Sequence, residues 1–456
     1  MHPEHNRDYS PLLQWGSASR TMIRNSLRAL AIFALTCSSG FLVLILYVGW
    51  GLFGWVGYDF GLYRSQSAIL LDGLPAKMYD AGLIGQYQQL LTAYTNHPDK
   101  PLLPGTVPYL PLYAWLLAPL ATVTPVLGFA LWTTVNFLAG LYLCWRTASL
   151  FPRPERTWVA YVLLASFPMV YSLVLGQPTI LLACAVGEFY LALRDGREFR
   201  AGLWFSCLVL KPQLAMIAGP LLLWKRRWAA VIGAAVGVGA ALAASVVTVG
   251  LPALLSYPES VLQEASGGLG ATGTNVRVPY MVNWRSLVLS VVPRVDDATG
   301  LLVTLALSLL TVACLALVWR GPWRPTDRCF PSKVTLLLLA TILVSYHVYG
   351  HGVVILAVPL AATFASGRHS AFTGAMVCAG LVLPAAVFLV AAFPTLLPTW
   401  LSFDPVSLAS RLITLSMVGC FAGLLAETCF ARALRSRGSQ MQTLPSRAGR
   451  YSPRVD

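Results

Sequence analysis

Residues 109–121 read YLPLYAWLLAPLA, and whether this stretch crosses a bilayer fixes the topology of everything after it. It is apolar throughout but broken by Pro111 and Pro119. At roughly 13 residues it falls short of the ~20 that a straight helix needs to span the hydrocarbon core. Proline inside a helix also removes a backbone hydrogen bond and bends the rod. The stretch therefore reads as a re-entrant or interfacial helix and not as a span.

The question of crossings arises from composition. The chain has 456 residues, 57% of them hydrophobic and 11% charged, with a mean hydropathy of +0.67, more apolar surface than a water-soluble core can hide. The first apolar run, 29–50, follows 28 polar residues that carry Arg7, Arg20, Arg24 and Arg28. It is too long and too late for a cleaved signal peptide, so it reads as a retained first span. Further candidates lie at 126–145, 158–175, 178–193, a split segment hinged at Lys211-Pro212, 229–250, 300–319, 334–346, 352–366, 371–392 and 407–430. With the split segment as a short hairpin, these give about 12 crossings.

Charge fixes the orientation. A net charge of +14 raises the idea of a nucleic-acid partner, but a membrane protein uses Lys and Arg to orient its loops. With both termini cytoplasmic, 24 of the 32 Lys and Arg fall in inner segments, and every inner loop is basic, as the positive-inside rule requires. Making 109–121 a crossing would put Arg146, Arg153, Arg156 and Lys225-Arg226-Arg227 outside. The expectation is thus an all-α polytopic protein of the plasma (inner) membrane with no nucleic-acid partner. A cytoplasmic segment, 1–28, precedes the membrane domain, 29–430. A basic tail, 431–456, holds no ordered domain and rests on anionic lipid. Of nine cysteines, all but Cys329 fall in apolar runs without metal or redox spacing, so they read as small apolar fillers.

The polar residues of interest then collect on the outer face. The first outer loop, 51–108, contains amphipathic segments that read as interfacial helices, and it places Asp59 just beyond the first span, where a carboxylate stays ionised yet meets a lipid-borne substrate. Gln177 lies in a Gly-Gln-Pro turn, able to donate to a sugar or phosphate oxygen or to cap a helix. Lys211 interrupts an apolar segment, a costly position unless it is paired or meets water. Arg285 precedes an apolar run, and a guanidinium grips phosphate through paired hydrogen bonds. His347 and His351 lie four apart in SYHVYGHG. No Glu or Cys stands nearby in sequence to complete a zinc site, and the pair suits proton transfer or phosphate binding instead. Asp80, in a second Tyr-Asp pair, competes with Asp59 as a base. Glu188 and Glu427 lie near inner helix ends and read as structural carboxylates.

In this order, the residues resemble glycosyltransferase family 87 of the GT-C superfamily. The resemblance rests on D-F-x-x-Y (Asp59, Phe60, Tyr63) and G-x-x-x-x-x-Y-D (Gly73, Tyr79, Asp80), with Pro-Tyr-x-Pro at 108–111 and Leu-Gly-Gln at 175–177. It continues with Leu-Lys-Pro-Gln ending at Gln213, Asn-x-Arg-Ser at 283–286 and the histidine turn, and covers about residues 58–360. It implies a GT-C-like helical bundle and a polyprenyl-phosphate sugar donor, such as polyprenyl-phosphate mannose. It also implies a lipid or glycan acceptor and an inverting transfer with Asp59 as base. His347 joins Asp59 as a catalytic expectation. Lys211, Arg285, His351, Gln177, Tyr63 and Asp80 form the expected substrate and phosphate set, with no metal and no cofactor. One departure stands out: relatives often carry an aspartate after the second histidine, where this chain has Gly352. A transporter or flippase for a lipid-linked or small polar substrate is the alternative. It is disfavoured because neither two related halves nor mid-membrane charge pairs are visible in the sequence.

Overall fold

The computed structural model describes residues 17–47, 53–54, 56–95, 107–266, 277–291, 297–367, 369–391 and 404–442. These residues form α and 3-10 helices, with an isolated β-bridge between Met281 and Tyr349. The protein is an all-helical integral membrane protein. Six described helices are long and apolar enough to cross a bilayer: Asn25–Leu42, Pro125–Ala148, Trp228–Thr248, Ala298–Trp319, Ala371–Ala391 and Pro405–Cys429. Arg153–Leu164 and Phe167–Leu175, bent by 46°, make a seventh if taken as one span.

By length and hydropathy, then, the expected count of about twelve is not reproduced. Several expected spans are short, broken or enclosed by protein. The 178–193 and 334–346 stretches become Thr179–Arg194 and Phe330–Val344, while 352–366 is a 3-10 run, Gly350–Leu356, leading into Ala357–Ala365. Ile180, Val186, Leu336, Leu338 and Ile342 on the first two are buried in the bundle. A helix apolar on all sides can be read as lipid-facing when neighbouring helices in fact surround it. By contrast, only 17% of the Trp228–Thr248 and Ala298–Trp319 spans is buried against protein, leaving a wide apolar face for lipid.

The stretch on which the topology turned is the helix Pro111–Ala121, 11 residues and therefore about 16 Å long, too short to cross. It docks on Tyr58–Leu71, where the Tyr63 and Tyr113 rings stand 5.3 Å apart and Ser67 Oγ donates to Ala114 O at 2.9 Å. With Phe53, Phe60, Ile69, Met78 and Trp132 these residues form a second apolar core, separate from the larger core around Thr179–Arg194 and Phe330–Val344. The segment after the first long helix thus packs around a core of its own, shared with Pro111–Ala121 and Trp132.

Glu188 accepts from Tyr142 Oη at 2.9 Å and from Arg146 Nε at 2.5 Å. Glu427 accepts from Ser370 N and Thr373 Oγ1, each at 2.8 Å. Both carboxylates join helices, as their positions suggested. The last helix, Pro405–Gln442, runs into the expected tail; residues 443–456, like 1–16 and 96–106, lie outside the described residues.

Candidate functional site

Two glycines bring distant stretches together. Gly57 (φ +74°) opens Tyr58–Leu71, and its N–H donates to Val174 O at 2.7 Å. Gly176 (φ +75°) ends Phe167–Leu175, and a Cβ there would lie 2.7 Å from Phe60 Cβ. Only glycine tolerates both this backbone and this approach. The turn that carries Gln177 is thereby pressed against the first turn of the helix that carries Asp59. Trp132 Nε1 secures it by donating to Gly176 O at 2.7 Å. The N-terminal end of a helix also favours a negative charge at Asp59.

Lys211 arrives from another segment. Pro212 cannot continue a helix, so the chain passes from the 3-10 run Ser206–Leu210 through an extended Lys211 (φ −134°, ψ 75°) into a second turn, Pro212–Leu214. This break carries the Lys211 side chain to Gln177. Nζ donates to Gln177 Oε1 at 3.0 Å, Tyr109 Oη donates to the same oxygen at 3.1 Å, and Gln177 Nε2 donates to Asp59 Oδ2 at 2.7 Å. Two donors at one end of the amide and a carboxylate at the other fix its orientation. Burial pushes the Asp59 carboxyl up to about 6, against the opposing pull of the Gln177 hydrogen bond and the Lys211 charge.

These groups line a cavity of about 300 Å³ that His347, His351, Glu264, Arg277 and Tyr349 also line. His347 Nδ1 lies 3.2 Å from Glu264 Oε1. His351 Nδ1 pairs with Thr179 Oγ1 at 3.0 Å. The Asn-x-Arg-Ser motif positions part of this lining. Asn283 Nδ2 donates to Ser345 O at 2.9 Å, Asn283 Oδ1 accepts from Ser286 N at 2.9 Å, and Val282 N donates to Val348 O at 2.8 Å. The asparagine caps its own helix and ties down the histidine turn in one step.

Of the residues singled out from sequence, the fold brings Asp59, Gln177, Lys211, His347 and His351 to one cavity. Tyr63 lies one layer behind, its Oη 3.4 Å from Tyr109 Oη. Asp80 is exposed and caps Ala81–Gln89 by accepting from Leu83 N at 2.8 Å. Arg285 is on Trp284–Val291, outside the cavity lining, and Arg277 is the arginine at the cavity. Gly352 lines the cavity, and a Cβ there would lie 2.5 Å from Val348 Cγ1. Sequence reasoning passed over Tyr109, Glu264 and Arg277. Tyr109 carried a signal in the Pro-Tyr-x-Pro stretch, but its aromatic neighbours allowed a membrane-belt reading. Glu264 resembled any acid on an amphipathic helix. Among the described residues no three His, Cys, Asp or Glu side chains converge as a metal-binding group.

A helical membrane protein with an enclosed acid, an amide-bridged lysine and imidazoles around one polar cavity has the makings of a group-transfer enzyme acting at the membrane. The glycosyltransferase family 87 model matches residues 108–346, just over half of the chain. The chain belongs to that family and is a membrane glycosyltransferase. No curated protein and no solved structure matches it. The matched stretch includes Tyr109, Gln177, Lys211 and Glu264, begins after Asp59 and stops one residue before His347.

Proposed function

We propose that this enzyme moves a sugar, mannose in the first instance, from a polyprenyl-phosphate donor to an acceptor hydroxyl, with inversion, on the non-cytoplasmic face of the plasma membrane. Asp59 takes the acceptor proton as the acceptor oxygen bonds to the anomeric carbon. The bond from that carbon to the phosphate oxygen breaks, and its electron pair leaves with the phosphate. A carboxylate beside the reacting carbon helps twice, as base and as counter-charge to an oxocarbenium-like transition state. Lys211 faces the charge gained by the departing phosphate in a partly dry site, and Arg277 supplies a second cation at the cavity.

The observation that carries this reading is the Asp59–Gln177–Lys211 chain of hydrogen bonds at one cavity. Base and cation are held at a fixed spacing before any substrate arrives, the preorganisation that charge-developing reactions need. A general base is most effective when its pKa approaches the working pH, and the raised Asp59 is closer to it than an ordinary aspartate. Asp80 is committed to a helix cap in solvent.

The test is transfer from radiolabelled polyprenyl-phosphate mannose, glucose and arabinose in membranes containing the full chain. Asp59→Asn is expected to lower transfer by at least about 100-fold, and Asp80→Asn to leave it within a few-fold. An active Asp59→Asn protein, or an inactive Asp80→Asn protein of normal abundance, overturns the assignment of the base.

A further inference from the structure

The cavity lining carries unmet hydrogen-bonding capacity besides the Asp59–Gln177–Lys211 chain. Glu264, near the C-terminal end of Leu251–Ser266, is 9% exposed, and what it exposes faces the cavity. Its closest polar contact among the described residues is His347 Nδ1 at 3.2 Å. That nitrogen is buried and makes no aligned hydrogen bond among them, and the same holds for Nε2 of His351, which is 2% exposed. Buried polar atoms without partners are costly, and two such imidazoles with the Glu264 carboxyl in the lining of the same polar cavity are suited to a ligand that completes them.

Neither a phosphate nor an apolar tail does so. A phosphodiester only accepts hydrogen bonds and cannot serve an imidazole nitrogen that needs a donor, and Lys211 and Arg277 already offer it cations. A lipid tail would leave every one of these atoms unmet. A sugar ring presents adjacent hydroxyls, each both donor and acceptor, which suits a carboxyl beside two imidazoles. Burial holds the Glu264 carboxyl up at about 8 against the pull of Lys211, and holds His347 down to about 3, so near pH 7 both groups are neutral hydrogen-bonding partners and do not form an ion pair.

We infer that Glu264 and His347, with His351 beside them, form the hydroxyl-reading wall of the site and bind the ring of a sugar substrate, setting which sugar is accepted. The inference rests on the glycosyltransferase reading. The ring belongs to the donor or to a glycan acceptor, and the two sources share this chemistry.

The experiment uses the full chain in nanodiscs, with polyprenyl-phosphate mannose, glucose and arabinose as donors and an extract of host membrane glycolipids as acceptor. Glu264→Ala is expected to reduce the rate ratio between the best and second-best donor by at least tenfold if the wall holds the donor ring. If it holds the acceptor, donor preference stays fixed and KM for the extract rises at least tenfold. Glu264→Gln, which keeps shape and hydrogen bonding, is expected to restore most of the lost discrimination, and its melting temperature controls for folding. Lys211→Ala is expected to weaken all donors alike. A folded Glu264→Ala protein with unchanged donor preference and unchanged acceptor KM overturns the inference alone. A wild-type protein inactive with every donor overturns the polyprenyl-phosphate donor reading and the inference that rests on it.

Discussion

Gln177 Nε2 donates to Asp59 Oδ2 at 2.7 Å, although 118 positions separate the two in the chain. The carbonyl end of the same amide accepts from Lys211 and Tyr109, so one neutral side chain couples the acid to the cation. Gln177→Ala removes that coupling and leaves buried groups unpaired. It is expected to lower kcat on the order of 100-fold while the protein still reaches the membrane. Gln177→Glu sets a second carboxyl against Asp59 and is expected to be worse, with the rise of activity moved to higher pH. Initial rates across pH in purified enzyme check both.

The rate is expected to rise with pH through about 6, the value to which burial lifts Asp59, because the base acts only when deprotonated. The sign for stability is opposite. An ordinary aspartate ionises near 3.8, below the folded value. The folded protein therefore holds the proton longer, and stability from this group falls as pH rises from about 4 to 6. Asp59→Asn removes the charge and keeps the shape, so above pH 7 it is expected to melt higher than wild type while being inactive. A thermal-melt series against pH, read beside the rate profile, tests both signs.

Arg277 lines the cavity and Arg285 does not. Arg277→Ala is expected to raise KM for a polyprenyl-phosphate donor several-fold, and Arg285→Ala to change it by less than twofold. The reverse order would return the phosphate contact to the arginine that the sequence motif favoured.

Gly176→Ala places a methyl 2.7 Å from Phe60 Cβ on a backbone with φ +75°. The strain and the clash are each worth about 1–3 kcal/mol, and relief requires the Asp59 helix to move away from Gln177. Activity is expected to fall more than tenfold, with a lower melting temperature. Gly73→Ala has the same sign of φ and nothing within 4 Å, so it pays the backbone cost alone and is expected to keep most activity.

Asn283 is fully buried and ties the histidine turn to the Trp284–Val291 helix. Asn283→Ala leaves Ser345 O and Ser286 N without that partner, a loss of about 1–3 kcal/mol, and is expected to loosen His347 and His351. Melting temperature and the pH profile together separate this from a direct role in chemistry.

Composition and the distribution of charge by themselves determined that this chain lives in a membrane. Their signal is summed over many residues and owes nothing to tertiary contacts. The failure of 109–121 to cross was legible from its apolar length, although Pro111 starts the helix and Pro119 lies inside it without breaking it. Short motifs pointed to Asp59, Gln177, Lys211 and the two histidines, which share one cavity. What hydropathy misjudged was the helices that protein encloses, because lipid and a protein interior select the same side chains. The inward-facing partners belonged to the tertiary structure alone. Tyr109 completes the Gln177 amide, Glu264 meets His347, and Arg277 takes the place at the cavity that Arg285 lacks. Each of these depends on how distant segments pack together, and that is decided by close contacts such as Gly176 against Phe60, made between segments more than a hundred residues apart.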